Sequence, residues 1–170
     1  MEVDDLKGRI AEALVESIFR RASYRVARVG RESSVQGLVK VGASEFSPDF
    51  LVWKQMSGDS PDRHLHRLLT IEVKYRSNLP EFIKRNLEPL VEKVRPQWPE
   101  LYCVFVTDNP EDARSCFQVF DVKNHMPGTA PILLDLHQLP GLDIFRTTVE
   151  EYEGLVRQIF PLLGSYGRDS

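Results

Sequence analysis

Leu68-Leu69-Thr70-Ile71-Glu72-Val73-Lys74-Tyr75 decides the fold, because its side chains alternate at the period of a β-strand. Leu69, Ile71, Val73 and Tyr75 share one face. Leu68, Thr70, Glu72 and Lys74 take the other, so a carboxylate and an ammonium point the same way. Upstream, Phe46 to Trp53 reads as a neighbouring strand. Phe50 and Val52 form one face, and Leu51 and Trp53 form the face that also carries Asp49. Two apolar faces mark a strand covered on both sides, where an ionised Asp49 is costly unless a metal, a cation or hydrogen bonds compensate it. Plainer readings stand beside these. Glu-x-Lys alternation is common on solvated strand faces, and Asp49 after Pro48 also suits a turn at the start of a strand.

Working outward, residues Asp4 to Ala22 have helical spacing. Asp4 or Asp5 can cap the start, Leu6, Ile10, Leu14 and Ile18 recur every four residues, and Ala11, Val15 and Phe19 widen the stripe. Arg20 and Arg21 close the last turn, where positive charge suits the helix dipole. Glu12 falls at the rim of the apolar arc, one turn after Gly8, and Glu16 lies further toward water. Glu12 can therefore reach the sheet, or pair on the surface with Arg9 or Arg20. Tyr24 to Val29 follows as a strand.

Past Lys74, Pro80 opens a helix through Leu87, Val91 and Val94, with a kink expected at Pro89 and an end at Pro96. Tyr102 to Val106 and Phe117 to Val122 read as strands, Asn124 to Pro131 as loop, and Ile132 to Leu136 as a further short strand. Thr147 or Thr148 is expected to cap a last helix with Val149, Tyr152, Leu155, Val156, Ile159 and Phe160 on one face. The order predicts an α/β sandwich, a central mixed β-sheet with helices on both faces. At 170 residues one domain spanning 1–170 suffices, with a polar tail at 165–170.

Cys103 and Cys116 fall in apolar runs and read as buried reduced thiols, which implies an intracellular, cytoplasmic chain. The acidic N-terminus carries no signal peptide pattern, and no run is long enough to span a membrane. A phosphate-cradling glycine loop and a Gly-x-Ser-x-Gly elbow are both missing, which argues against a nucleotide cofactor, ATP hydrolysis and serine hydrolase chemistry. His64 and His66 have no third ligand at zinc-binding spacing, and Trp98 reads as a packing aromatic before a base-stacking one.

Taken together, Gly8-x3-Glu12, Pro48-Asp49 and Glu72-x-Lys74 resemble the motif of the PD-(D/E)XK, or restriction-endonuclease-like, nuclease superfamily, over about Lys7 to Thr107. The resemblance implies a helix, a three-stranded antiparallel meander, a second helix and a further strand. It implies Mg²⁺ or Mn²⁺ held by Asp49 and Glu72 with Glu12 as an additional ligand, a Val73 carbonyl lent to the metal, Lys74 as the catalytic lysine, and DNA as substrate. The local pattern is similar to archaeal Holliday-junction resolvases, including Tyr24-Arg25-Val26 on the first strand. The linker from Lys54 to Arg67 is longer than a tight hairpin, and the helix after Lys74 has no Gln-x3-Tyr.

The net charge of −3 opposes nucleic-acid binding as a whole, but its distribution favours it. Lys7, Arg9, Arg28 and Arg31 concentrate basic charge beside the motif, Arg76 follows it, and these are the expected phosphate contacts. Two other functions fit the same residues: a DNA- or protein-binding module of this fold that no longer cuts, and an α/β protein in which Lys74 merely neutralises Glu72 and Asp49. A homodimer through the last helix would serve symmetric two-strand cleavage.

Overall fold

A computed structural model describes residues 3–29, 46–55 and 66–166. Arg31 and His64 lie outside them. The elements are α1 (Val3–Arg21), β1 (Arg25–Arg28), β2 (Phe50–Gln55), β3 (His66–Tyr75), α2 (Leu79–Val94), β4 (Leu101–Val106), β5 (Phe117–Asp121), β6 (Leu133–Asp135) and α3 (Arg146–Tyr166), with a 3₁₀ turn at Leu136–Gln138. The chain is α/β, with a single six-stranded mixed sheet among the described residues.

The strands lie in chain order. β1, β2 and β3 form an antiparallel meander, β3 and β4 run parallel, and β4, β5 and β6 return to antiparallel pairing. A parallel pair cannot be joined by a tight turn, and α2 supplies the crossover. Leu69, Ile71, Val73 and Tyr75 turn one sheet face toward α1 and α3, through Ala11, Val15, Ile18, Val156 and Phe160. The opposite face, with Leu101, Cys103, Phe105 and Phe120, packs against Leu87, Val91 and Val94 of α2. Period-2 alternation therefore divides two cores on either side of one sheet.

α1 is rotated from the expected arc. Its buried line is Lys7, Ala11, Val15, Ile18 and Phe19, while Leu6, Ile10 and Leu14 are only partly covered. The helix ends in a Schellman turn. Tyr24 N donates to Phe19 O and Ser23 N to Arg20 O, each at 3.0 Å, the Phe19 and Tyr24 rings meet edge to face at 5.3 Å, and Ser23 takes φ 68°.

α2 is capped by Asn78, whose side chain accepts from Glu81 N at 3.2 Å. The helix runs through Pro89 as one element, on the exposed side. α3 starts before the threonines expected to cap it. The Phe145 carbonyl accepts from Thr148 N and Val149 N at 3.1 and 3.3 Å, so Thr147 and Thr148 lie in the first turn. Leu155, placed on its buried face from sequence, is exposed, whereas Val149, Tyr152, Val156 and Phe160 are buried. Cys103 and Cys116 are buried free thiols. No described helix is long and apolar enough to cross a membrane.

Candidate active site

The register of β2 on β3 builds the site. Phe50 pairs with Ile71, so Asp49, one residue earlier, comes opposite Glu72. Asp49 keeps its backbone in the sheet on the other side, its carbonyl accepting from Val29 N at 2.9 Å. Toward β3 its carboxylate acts instead: Oδ2 accepts from Val73 N at 2.7 Å. A side chain takes the bond that a strand carbonyl would have taken, and the acid is fixed against the strand that carries Glu72 and Lys74.

Glu72 is only 6% exposed. Its Oε1 accepts from Lys74 Nζ at 2.7 Å, and its Oε2 is buried with no hydrogen-bond partner. Burial, then the neighbouring Asp49 charge, pushes the Glu72 carboxyl up to about 8, although Lys74 works against both. Asp49 is also raised by burial, with the Val73 N–H and Lys74 pulling it back. Glu12 rises for the same first reason and then through Asp49, against the pull of Arg28, Arg9 and Lys74. Asp49 thus disfavours the charge of both Glu72 and Glu12, while a hydrogen bond from Glu72 favours the charge of Asp49, with one lysine among them.

A cleft of about 770 Å³ opens beside this group, lined by Gly8, Arg9 and Glu12 of α1, by Val73 and Lys74, and by Arg76 just past β3. Lys74, its side chain 21% exposed, is shared between the buried acids and the cleft. Asp49 and Glu72 are not in the cleft wall. Among the described residues, no three His, Cys, Asp or Glu side chains form a ready cage for a metal ion. The donors do suit a hard divalent cation: two facing carboxylates, one with an orphaned buried oxygen, and Glu12 across the cleft. Cys103, the register partner of Glu72, does not join them, since burial and then the Glu72 charge push its thiol up to about 12.

The expected phosphate contacts divide. Arg9 and Arg76 line the cleft, and the Arg76 guanidinium lies over the Phe82 ring at 4.4 Å. Arg28 is exposed but committed to acids, bonding Glu16 at 2.8 Å and approaching Glu12 to 3.5 Å. That settles the surface pairing expected of Glu12 on Arg28 rather than Arg9 or Arg20, while Arg20 pairs with Glu16. Glu16 is accordingly less open to water than the helical spacing implied. Arg31 falls outside the described residues.

Lys7 is a correction to the expected phosphate surface. It is 7% exposed, donates to Tyr75 Oη at 3.0 Å and to Asp108 Oδ2 at 3.2 Å, and sits over the Tyr75 and Phe160 rings. Tyr75 donates to Asp108 Oδ1 at 2.9 Å, closing a buried triangle that joins α1, β3 and the turn after β4. Such enclosure leaves the ammonium no face for a phosphate in solvent. The sequence carried a signal for it, because Lys7 stands in register with Ala11, Val15 and Ile18. Trp98 packs beside α2 and donates its Nε1 to Phe46 O at 3.2 Å, the structural role expected of it. His66 is exposed, and His125 is paired with Glu88 at 2.6 Å.

No protein-family model matches the chain, and neither curated proteins nor solved structures yield a match.

Proposed function

We propose that the chain is a restriction-endonuclease-like nuclease that hydrolyses DNA phosphodiesters with a divalent metal. The observation that carries this reading is the Glu72 carboxylate, which faces Asp49, is bonded on one oxygen by Lys74 and is left buried and unpartnered on the other. A buried carboxyl raised to about 8 beside a second acid resists carrying its charge alone, and a cation shared with Asp49 would relieve it. The order of helix, antiparallel meander, crossover helix and parallel strand over Val3 to Val106 supports the same reading, since it is the core that the sequence resemblance implies.

Asp49 and Glu72, with Glu12 from α1, would hold Mg²⁺ or Mn²⁺, and the Val73 carbonyl lies on the strand between them. Bound there, the ion supplies Lewis-acid polarisation of the scissile phosphate and acidifies a water. The chain's own residues do the rest. Lys74, which lines the cleft, would orient the attacking water and steady negative charge as it develops on phosphate oxygen. Arg9 and Arg76 draw the flanking phosphates to the cleft wall. Val73 N favours the ionised form of Asp49 against burial and fixes its orientation.

A second reading has one observation in its favour: the Lys74–Glu72 bond at 2.7 Å is also what a neutralised strand pair, or a binding module that no longer cuts, would contain. The two separate on a panel of linear, nicked, flap, four-way and single-stranded DNA with Mg²⁺ and with Mn²⁺. Cleavage that needs the metal and is abolished in Asp49→Ala supports the nuclease. Absence of cleavage on every substrate with either ion favours the second reading.

A further inference from the structure

A second cavity, of about 490 Å³, opens at the same carboxyl end of the parallel β3–β4 pair but on the α2 side of the sheet. It begins at Leu79, two residues beyond Ser77 at the rim of the catalytic cleft. Arg76 lines the cleft and lies over Phe82 of α2, the helix whose Pro80 and Ile83 line the second cavity.

The lining has two characters. Pro80 and Ile83 come from the first turns of α2, and Pro131 and Ile132 from the approach to β6, giving apolar walls from separate elements. Ile132, 74% exposed, stands at the open side of the cavity. Between these walls stand Thr107, Asn109, Glu111, Arg114 and the buried Gln118.

Arg114 is held rigidly. Its Nε donates to the buried Asp135 Oδ1 at 2.9 Å and its Nη2 to Leu133 O at 3.0 Å. The third nitrogen, Nη1, has no partner among the described residues. Gln118 is likewise fixed, its amide donating to Ser115 O at 3.1 Å. A flat cation with one spare donor, set between apolar walls in a space of this size, suits a planar ring with an acceptor atom on its edge.

We infer that this cavity is a subsite for one unpaired nucleobase of a DNA strand whose phosphate lies in the cleft at Lys74. The inference rests on the nuclease reading above. The strand turns over Ser77 and Asn78, the base enters between Pro80 with Ile83 and Pro131 with Ile132, and a carbonyl oxygen or ring nitrogen accepts from Arg114 Nη1. A paired base cannot make this turn, so the subsite selects strands with an unstacked nucleotide: single strands, flaps and junctions over intact duplex.

The test measures binding of the full chain to short single-stranded DNA by fluorescence anisotropy in EDTA, with a single abasic site moved along the strand, followed by cleavage of the same strands with Mg²⁺. One abasic position is expected to weaken binding about tenfold, the scale of one lost base contact. Ile132→Trp fills the mouth from an exposed position, and Arg114→Lys keeps a charge for Asp135 while losing the planar fork. Each should bind the intact strand as weakly as wild type binds the critical abasic one, with no further loss at that position. Equal binding at every abasic position, or undiminished base dependence in Ile132→Trp, overturns the subsite. Metal-dependent cleavage without base dependence removes the subsite and leaves the nuclease. Base-dependent binding without cleavage does the reverse, and failure to bind any strand overturns both.

Discussion

Lys74 Nζ bonds Glu72 Oε1 at 2.7 Å from two residues along the same strand, and it leaves Glu72 Oε2 buried without a partner. One strand thus carries both a buried acid that resists ionisation and the cation that partly relieves it. In the metal-free protein the acid is therefore a point of stored instability.

Glu72 is raised in the fold to about 8 from an ordinary 4.5. The folded chain then binds more protons than the unfolded one between those values, so its contribution to stability is complete below 4.5 and is lost as pH rises through about 8. In EDTA, Glu72→Gln should match wild type in thermal midpoint at acid pH and exceed it increasingly toward about pH 9, where its carboxylate no longer has to be buried charged. Parallel melting curves for the two proteins across that range would show that Glu72 ionises freely.

Metal should reverse the same liability. Adding Mg²⁺ or Mn²⁺ at about pH 8 should raise the thermal midpoint of wild type, by about 2.7 kcal/mol of stability when the ion is at about 100 times its Kd. Binding should also release protons, seen in calorimetry as heats that change with the ionisation enthalpy of the buffer. Asp49→Ala should show neither effect, and the same stabilisation in that variant would place the ion elsewhere.

Removing the Lys7 ammonium should harm the fold more than it harms DNA binding. Burial pushes Lys7 down, but its bonds to Tyr75 and Asp108 outweigh this and the net shift is upward, as expected of a cation that its surroundings hold charged. Lys7→Met leaves the Asp108 carboxylate with the Tyr75 hydroxyl alone and no cation, and should cost roughly 3 kcal/mol in chemical denaturation. A loss below about 0.5 kcal/mol would mean that the triangle is solvated.

Ser23 holds φ 68° at the end of α1, in the left-handed region that suits glycine. It is exposed, and neither of the turn's two backbone bonds involves its side chain. Ser23→Gly should stabilise the chain by about 0.5–1 kcal/mol in urea titration.

Much of this was legible in local pattern. The alternation of Leu68 to Tyr75 placed Glu72 and Lys74 on one face, and the second helix and later strands followed from apolar runs punctuated by proline and glycine, while the antiparallel meander was implied by the motif resemblance. What escaped was long-range. Asp49 acts as a substitute backbone acceptor only because β2 pairs with β3 at one register. Arg28 is drawn to Glu12 and Glu16 by the packing of β1 beside α1. Lys7 looked like surface charge because a lysine is seldom buried, and its partner Asp108 follows β4 in no periodic pattern. The cavity around Arg114 is assembled from α2, the turn after β4 and the approach to β6, which no single stretch of sequence reveals.

The most direct test of Lys74 and its acids as a catalytic group is the single-turnover cleavage rate of Lys74→Ala, measured beside its DNA affinity. The rate is expected to fall at least about a hundredfold while affinity stays within about threefold, because the ammonium acts on charge that develops during the reaction. Cleavage by Lys74→Ala at the wild-type rate would contradict the assignment.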